Sequence, residues 1–152
     1  MLEIREIEKS FGKKHVLRGV NLDVNDNEKL VIIGQGRLVG GPLLKMWQDA
    51  GLDVTAADKK TEDLPALTSV ADVIVSAAGV PGLVTVDMVK PYAVIVDAGV
   101  STDTNGLVGD VAPEVRELPH ISITPQKGGV GPLTVSALFE NVITAARATI
   151  QS

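Results

Sequence analysis

Gly34, Gly36, Gly40 and Gly41 follow directly on an apolar run, Val31, Ile32 and Ile33, and Pro42 comes next. An apolar strand, a glycine-rich turn and a helix start make a phosphate-binding arrangement. The helix N-terminus turns free N–H groups and the positive end of its dipole toward an anion. Pro42 suits the first turn of such a helix, where its missing N–H costs nothing. A triphosphate loop reads G-x-x-x-x-G-K-[ST], with the lysine and hydroxyl holding phosphate and magnesium. Here Gly41-Pro42 stand where a Lys-Ser or Lys-Thr pair would start. Triphosphate chemistry therefore lacks its anchor. The spacing G-x-G-x-x-x-G is close to the dinucleotide fingerprint G-x-G-x-x-G without matching it.

A dinucleotide also needs a group for its adenosine ribose. Asp58 closes the next apolar strand, the place where an acidic residue accepts from the ribose hydroxyls and favours NAD. Lys59 and Lys60 adjoin it and offer charge to a 2′-phosphate, although two lysines in a solvated loop are ordinary. No other chemistry has a basis. With zero cysteines and only His15 and His120, thiolate or clustered-histidine metal sites are not expected. Ser76 and Ser101 have no His-acid partner nearby in sequence, so nucleophilic catalysis is not expected either. Asp72, Asp97 and Asp110 fall at strand edges or turns, where carboxylates usually cap backbone.

The elements that must position these residues follow from the apolar pattern. The chain of 152 residues is 45% hydrophobic but only 3% aromatic, so its core is built from Val, Ile, Leu and Ala. "LEIREIEK" (2–9) and "HVLRGVNLDV" (15–24) alternate with period two and predict an antiparallel hairpin. After residue 28 the style changes to Val/Ile runs of the kind buried on both faces of a parallel sheet. Strands are expected at 29–34, 53–58, 72–77, 93–98 and 120–124, with the first of them central. Helices are expected at 39–50, near 64–70 and from about Pro132 to Ile150, the last amphipathic. Asn105-Gly106 is a turn signal. The predicted fold class is α/β, a Rossmann-like three-layer sandwich with a parallel sheet, plus an N-terminal antiparallel β-hairpin. The expected division is 1–28 for the hairpin and 29–152 for the Rossmann-type domain. A net charge of −5 argues against a nucleic-acid partner. No apolar run approaches the length of a membrane span and no leader pattern opens the chain, so a cytoplasmic protein is expected.

Two resemblances meet at the strand before the glycine turn. "LEIREIEKSFGKKHVLRGVNLDVNDNEKLVIIG" (2–34) resembles the start of an ABC-transporter ATPase domain, in which Phe11 would stand where an aromatic residue stacks on adenine. The P-loop that should follow is absent. From about residue 30 to 150 the chain resembles the cofactor domain of bifunctional methylenetetrahydrofolate dehydrogenase/cyclohydrolase. "VIIGQGRLVGGPL", "ADVIVSAAGVPGLVTVDMVKPYAVIVDAG", "NGLVGDV" and "ITPQKGGVGPLTVSALFEN" carry that likeness. It implies NADP or NAD as cofactor, with Gly34, Gln35 and Gly36 at the pyrophosphate. It also implies Val100 at the nicotinamide end and Gly128–Thr134 as the loop beside nicotinamide and folate. Most members of that family carry Arg-Ser where this chain has Gln35-Gly36, and lack of the arginine weakens recognition of a 2′-phosphate. The family's catalytic lysine and tyrosine belong to a preceding folate domain, which the hairpin replaces here.

Three functions are then in play. The first is an engineered or recombined chimeric domain without catalysis, binding dinucleotide weakly at best. The second is a fragment of the NADP-dependent dehydrogenase/cyclohydrolase, and the third a triphosphate-binding fragment.

Overall fold

The computed structural model describes residues 2–11, 14–24, 27–104 and 106–150. Strand β1 (Leu2–Phe11) pairs antiparallel with β2 (Lys14–Val24), forming the expected hairpin as a two-stranded sheet of its own. Then β3 (Leu30–Ile33) leads through the glycine turn into α1 (Gly40–Asp49) and β4 (Val54–Ala57). The chain continues as α2 (Leu64–Thr68), β5 (Val73–Ser76) and β6 (Val94–Asp97). A small antiparallel pair follows, β7 (Ser101–Asp103) with β8 (Gly106–Val108), around the predicted Asn-Gly turn, of which Asn105 lies outside the described residues. Last come β9 (Ser122–Ile123) and α3 (Val130–Ile150).

The five strands β4, β3, β5, β6 and β9 form one parallel sheet in that order. β3 is interior but off-centre, because one strand lies beyond it and three lie on the other side. The chain steps outward from β3 to β4 and then crosses back past β3 to β5. Strand order reverses there, which places a crevice at the carboxyl end of β3.

The sheet is covered on both faces, as runs such as Leu30–Ile33 require. Leu30, Ile32, Val73 and Val75 face α1, where Leu43, Leu44 and Trp47 pack on them. Val31, Ile33, Ile74 and Ile95 face the opposite way, onto Leu64 and Leu67 of α2 and onto Val84, Met88, Val111 and Val115. Ile32, Ile74 and Ile95 have no exposure at all. Each such side chain contributes about 1.5–3 kcal/mol of burial, so these rows hold the sheet and fix the ends of its strands in place.

α3 departs from expectation. It begins at Val130, two residues early, and its apolar residues meet no core: Leu138, Phe139, Val142 and Ile143 are all more than half exposed.

Candidate functional site

Gly34 ends β3 with φ +86, in the left-handed region that glycine enters without penalty. Its N–H donates to Ala57 O at the end of β4, 2.8 Å away. A Cβ on Gly34 would lie 2.7 Å from Ala77 O and from Ala78 Cα, so the turn is pressed against the segment that follows β5. Gly40 is as tightly set, because a Cβ there would overlap Gly34 O. Gly36, in contrast, has open space where its Cβ would be, and Gln35 and Gly36 are exposed. Two glycines thus let the first turn of α1 sit close over the strand end. The third leaves a gap above it.

The start of α1 has no side-chain partner for its charge. Val39 occupies the N-cap position with no side-chain hydrogen bond, and no acidic residue stands in the first turn. Most surface helices satisfy these N–H groups with Ser, Thr, Asp or Asn. Here Gly41 N–H donates back to Gly36 O at 3.0 Å and Pro42 has no N–H, so what the helix start offers a phosphate is Gly40 N–H and the positive end of its dipole, beside the open space at Gly36.

Asp58 directly follows β4, beside the turn, and is exposed. Its Oδ1 accepts from Lys60 N at 2.8 Å, and its own N–H donates to Thr61 Oγ1. The 58–61 turn therefore fixes the carboxylate's direction and leaves Oδ2 for a hydroxyl. Lys59 and Lys60 are exposed beside it. Val100 is 70% exposed, three residues past β6 on the same edge of the sheet. Next to it the Ser101 hydroxyl donates to Gly79 O at 2.9 Å. Gly34–Gly36, Asp58 and Val100 thus all belong to loops at the carboxyl ends of β3, β4 and β6. Gly128 takes a positive φ of +79 just before α3, and Lys127 is exposed.

Sequence reasoning gave Asp110 and Asp97 only the ordinary work of turn carboxylates, and their actual work is larger. Asp110 is fully buried. Its Oδ2 accepts from Ser76 Oγ (2.8 Å), Ala78 N (2.8 Å) and Gly79 N (3.2 Å), and its Oδ1 accepts from Val80 N (2.8 Å). One carboxylate therefore shapes the whole 77–80 loop against which Gly34 rests. Asp97, at the end of β6, supports Asp110 in turn by accepting its backbone N–H at 2.9 Å. Arg116 Nη2 pairs with Asp97 Oδ2 at 2.7 Å, while Nη1 donates to Thr124 O. Gly99 and Gly109 allow this crossing, since a Cβ on the first would overlap the Asp110 carboxylate and one on the second that of Asp97. The sequence signal was the pair of glycines flanking two acids, Asp97-Ala98-Gly99 and Gly109-Asp110.

At the other end of the sheet, Asp72 accepts from Lys29 N at 2.8 Å and pairs with Lys90. The Lys90 hydrogen bond, then the Lys29 N–H, hold its carboxyl below the usual range. Among the described residues there is no group of three or more His, Asp or Glu able to hold a metal ion. No described helix is long and apolar enough to cross a membrane.

Comparison with known proteins bears on this geometry. The family described as tetrahydrofolate dehydrogenase/cyclohydrolase, NAD(P)-binding domain, matches residues 10–150. The bifunctional protein FolD of Exiguobacterium sibiricum is 40% identical over 136 residues, covering 90% of this chain and 49% of that protein. The crystal structure of the bifunctional FolD methylenetetrahydrofolate dehydrogenase/cyclohydrolase from Campylobacter jejuni superposes with a TM-score of 0.73 at 41% identity, over 82% of this chain and 45% of that one. The Trypanosoma brucei enzyme, solved with NADP cofactor and an inhibitor, gives a TM-score of 0.73 at 33% identity, over 83% and 46%. The chain spans about half the length of the relatives it matches.

These matches correct the leading expectation from sequence. A non-catalytic chimera, joined near 30–34 from an ATPase hairpin and a cofactor domain, does not stand. The family match starts at residue 10 and runs unbroken through the supposed join. The homologues point instead to the enzyme-fragment reading, and they do not show the ATPase-like origin read for residues 1–34. The change of style near residue 28 has a physical cause that needs no fusion: an antiparallel pair gives way to strands buried on both faces.

Proposed function

The chain belongs to the tetrahydrofolate dehydrogenase/cyclohydrolase family, in its NAD(P)-binding domain, and from that premise we propose that it is the cofactor-holding part of a methylenetetrahydrofolate dehydrogenase. Gly34, Gln35 and Gly36 would hold the pyrophosphate, with Gly40 N–H and the positive end of the α1 dipole to receive its charge. Asp58 would hold the adenosine ribose, with Lys59 beside it, and Val100 would stand at the nicotinamide end. The residues present fit such a group: the space over Gly36 is open to a diphosphate, and α1 begins with neither a side-chain cap nor an acidic residue to compete for it.

NAD or NADP, when bound, supplies the hydride acceptor for oxidation of the folate's one-carbon unit. What this chain's residues supply is orientation. Asp110, through Ser76 and the 78–80 backbone, holds the wall of the crevice in one position, which limits how far a bound nicotinamide can wander. We propose that oxidoreductase turnover needs a folate pocket and a proton-transferring lysine or tyrosine of the kind the relatives' family carries on its other domain. The cofactor choice is argued from two opposing features. Gln35 offers no guanidinium fork and Asp58 repels a 2′-phosphate, whereas Lys59 and Lys60 attract one.

The observation that carries the reading is the Gly34 turn, pinned between Ala57 and Ala77–Ala78 and opening at Gly36 before an uncapped helix. Calorimetric titration with NAD and with NADP tests it. Saturable binding of one or both supports it, and no heat from either at millimolar ligand overturns it.

A further inference from the structure

We propose that Arg116 is a positioning residue for the nicotinamide end of the cofactor, acting through Asp97 and Thr124. The proposal rests on the dinucleotide reading above. In the sheet, β6 lies between β5 and β9. The loop after β6, which carries Val100, is therefore flanked by the 77–80 loop and by the segment leading from β9 into α3.

Both flanks are tied to one guanidinium. On the β5 side, Asp97 accepts the backbone N–H of Asp110 at 2.9 Å, and Asp110 holds Ala78, Gly79 and Val80. Ser101 donates to Gly79 O, which seats the Val100 loop on that flank. On the β9 side, Thr124 Oγ1 accepts from Asp97 N at 2.9 Å. Arg116 closes the frame, with Nη2 on Asp97 Oδ2 at 2.7 Å and Nη1 donating to Thr124 O at 2.9 Å.

Thr124 is where the chain leaves the sheet, after an edge strand of two residues. The apolar residues of α3 beyond it meet no core, so the start of that helix depends on how Thr124 is held. The turn between them is tight, since a Cβ on Gly129 would lie 2.5 Å from Pro125 O. A shift at Thr124 is thus passed on to the segment beside the nicotinamide end. The planar fork of the guanidinium fixes the angle between its two partners, whereas a lysine ammonium reaches one of them.

Arg116→Lys tests this, because it keeps an ion pair with Asp97 and releases Thr124. Titration calorimetry on the full chain compares NAD with ADP, and NADP with 2′-phospho-ADP. The second ligand of each pair lacks the nicotinamide end. Titrations run well below each variant's melting temperature, with circular dichroism confirming the fold. The parent chain should bind the dinucleotide tighter than its ADP half. Arg116→Lys should weaken the dinucleotide by about fivefold to tenfold, the size of one lost hydrogen bond, and leave the ADP half within about twofold. Thr124→Val, which removes the Oγ1 acceptor, should split the two ligands in the same direction. Asp72→Asn loosens the opposite end of the sheet and should shift neither.

Equal weakening of both ligands in Arg116→Lys, or weakening of neither, overturns the proposal while the dinucleotide reading stands. So does the same split in Asp72→Asn, or a parent chain that binds the dinucleotide no tighter than its ADP half. A parent chain that binds none of these ligands overturns the dinucleotide reading and this proposal with it.

Discussion

Ser76 Oγ lies 2.8 Å from Asp110 Oδ2, and both residues are fully buried. Ser76 is the last residue of β5, and Asp110 comes 34 residues later, after the β7–β8 pair. The contact ties the end of a core strand to the loop that forms the wall of the crevice.

Asp110→Ala should be among the most damaging substitutions in the chain. It leaves the Ser76 hydroxyl and the N–H groups of Ala78, Gly79 and Val80 without their acceptor in a largely buried place. A loss of about 3–5 kcal/mol is expected by urea unfolding, the range for removing a buried charge from its partners. Asp110→Asn keeps the shape and one acceptor and should cost about half as much. Equal stability of Asp110→Ala and the parent chain would contradict the assigned role.

Arg116→Ala acts on the layer below. Asp97 is almost fully buried and would lose the guanidinium that pairs with its Oδ2, so about 3 kcal/mol of destabilisation is expected. Arg116→Lys should recover only part of it. An ammonium cannot bridge Asp97 Oδ2 and Thr124 O as the guanidinium does.

The glycine turn makes a paired prediction. Gly34→Ala forces a Cβ into Ala77 and Ala78 and strains a left-handed backbone, so thermal stability should fall by the equivalent of 2 kcal/mol or more, roughly the strain plus the clash. Gly36→Ala meets nothing within 4 Å and should leave the melting temperature unchanged within about 2 °C. Equal effects at the two positions would show that the close approach has been misread.

Most of the fold was legible because its signals are local. Runs such as Val31–Ile33 and Val73–Val75 announce buried parallel strands, and Asn105-Gly106 announces a hairpin turn. The glycine-rich turn with Pro42 announces the start of α1. The Asp110 latch was not legible, since its partners lie about 30 residues away and any turn carboxylate looks alike in sequence. Nor was the bareness of α3, because an apolar stripe tells which side wants cover and not what provides it. The expected join near residue 30 is not supported by the family match. The likeness of residues 2–34 to an ATPase start rests on a hairpin and an apolar strand, which unrelated α/β proteins share, whereas the family match runs from residue 10 to 150.

Asp72 supplies a pH dependence. Its folded pKa lies below the usual 3.8 because Lys90 and the Lys29 N–H favour the charged form. The group therefore stabilises the fold fully above its unfolded value and loses that contribution as pH falls through the folded one. The pair is partly solvated, so the effect at neutral pH is under about 1 kcal/mol. Asp72→Asn should flatten the stability curve below about pH 4 while lowering the plateau slightly. An unchanged acid limb in urea titrations would contradict this.

The most direct test of the account is calorimetric titration of NAD and NADP into the parent chain and into Gly36→Trp, with melting temperatures measured alongside. A tryptophan at this open position should fill the space over the turn without disturbing the core. The account predicts saturable dinucleotide binding to the parent chain, loss of that binding in Gly36→Trp, and melting temperatures that agree. Binding that survives Gly36→Trp, or a parent chain that binds neither dinucleotide, would contradict it.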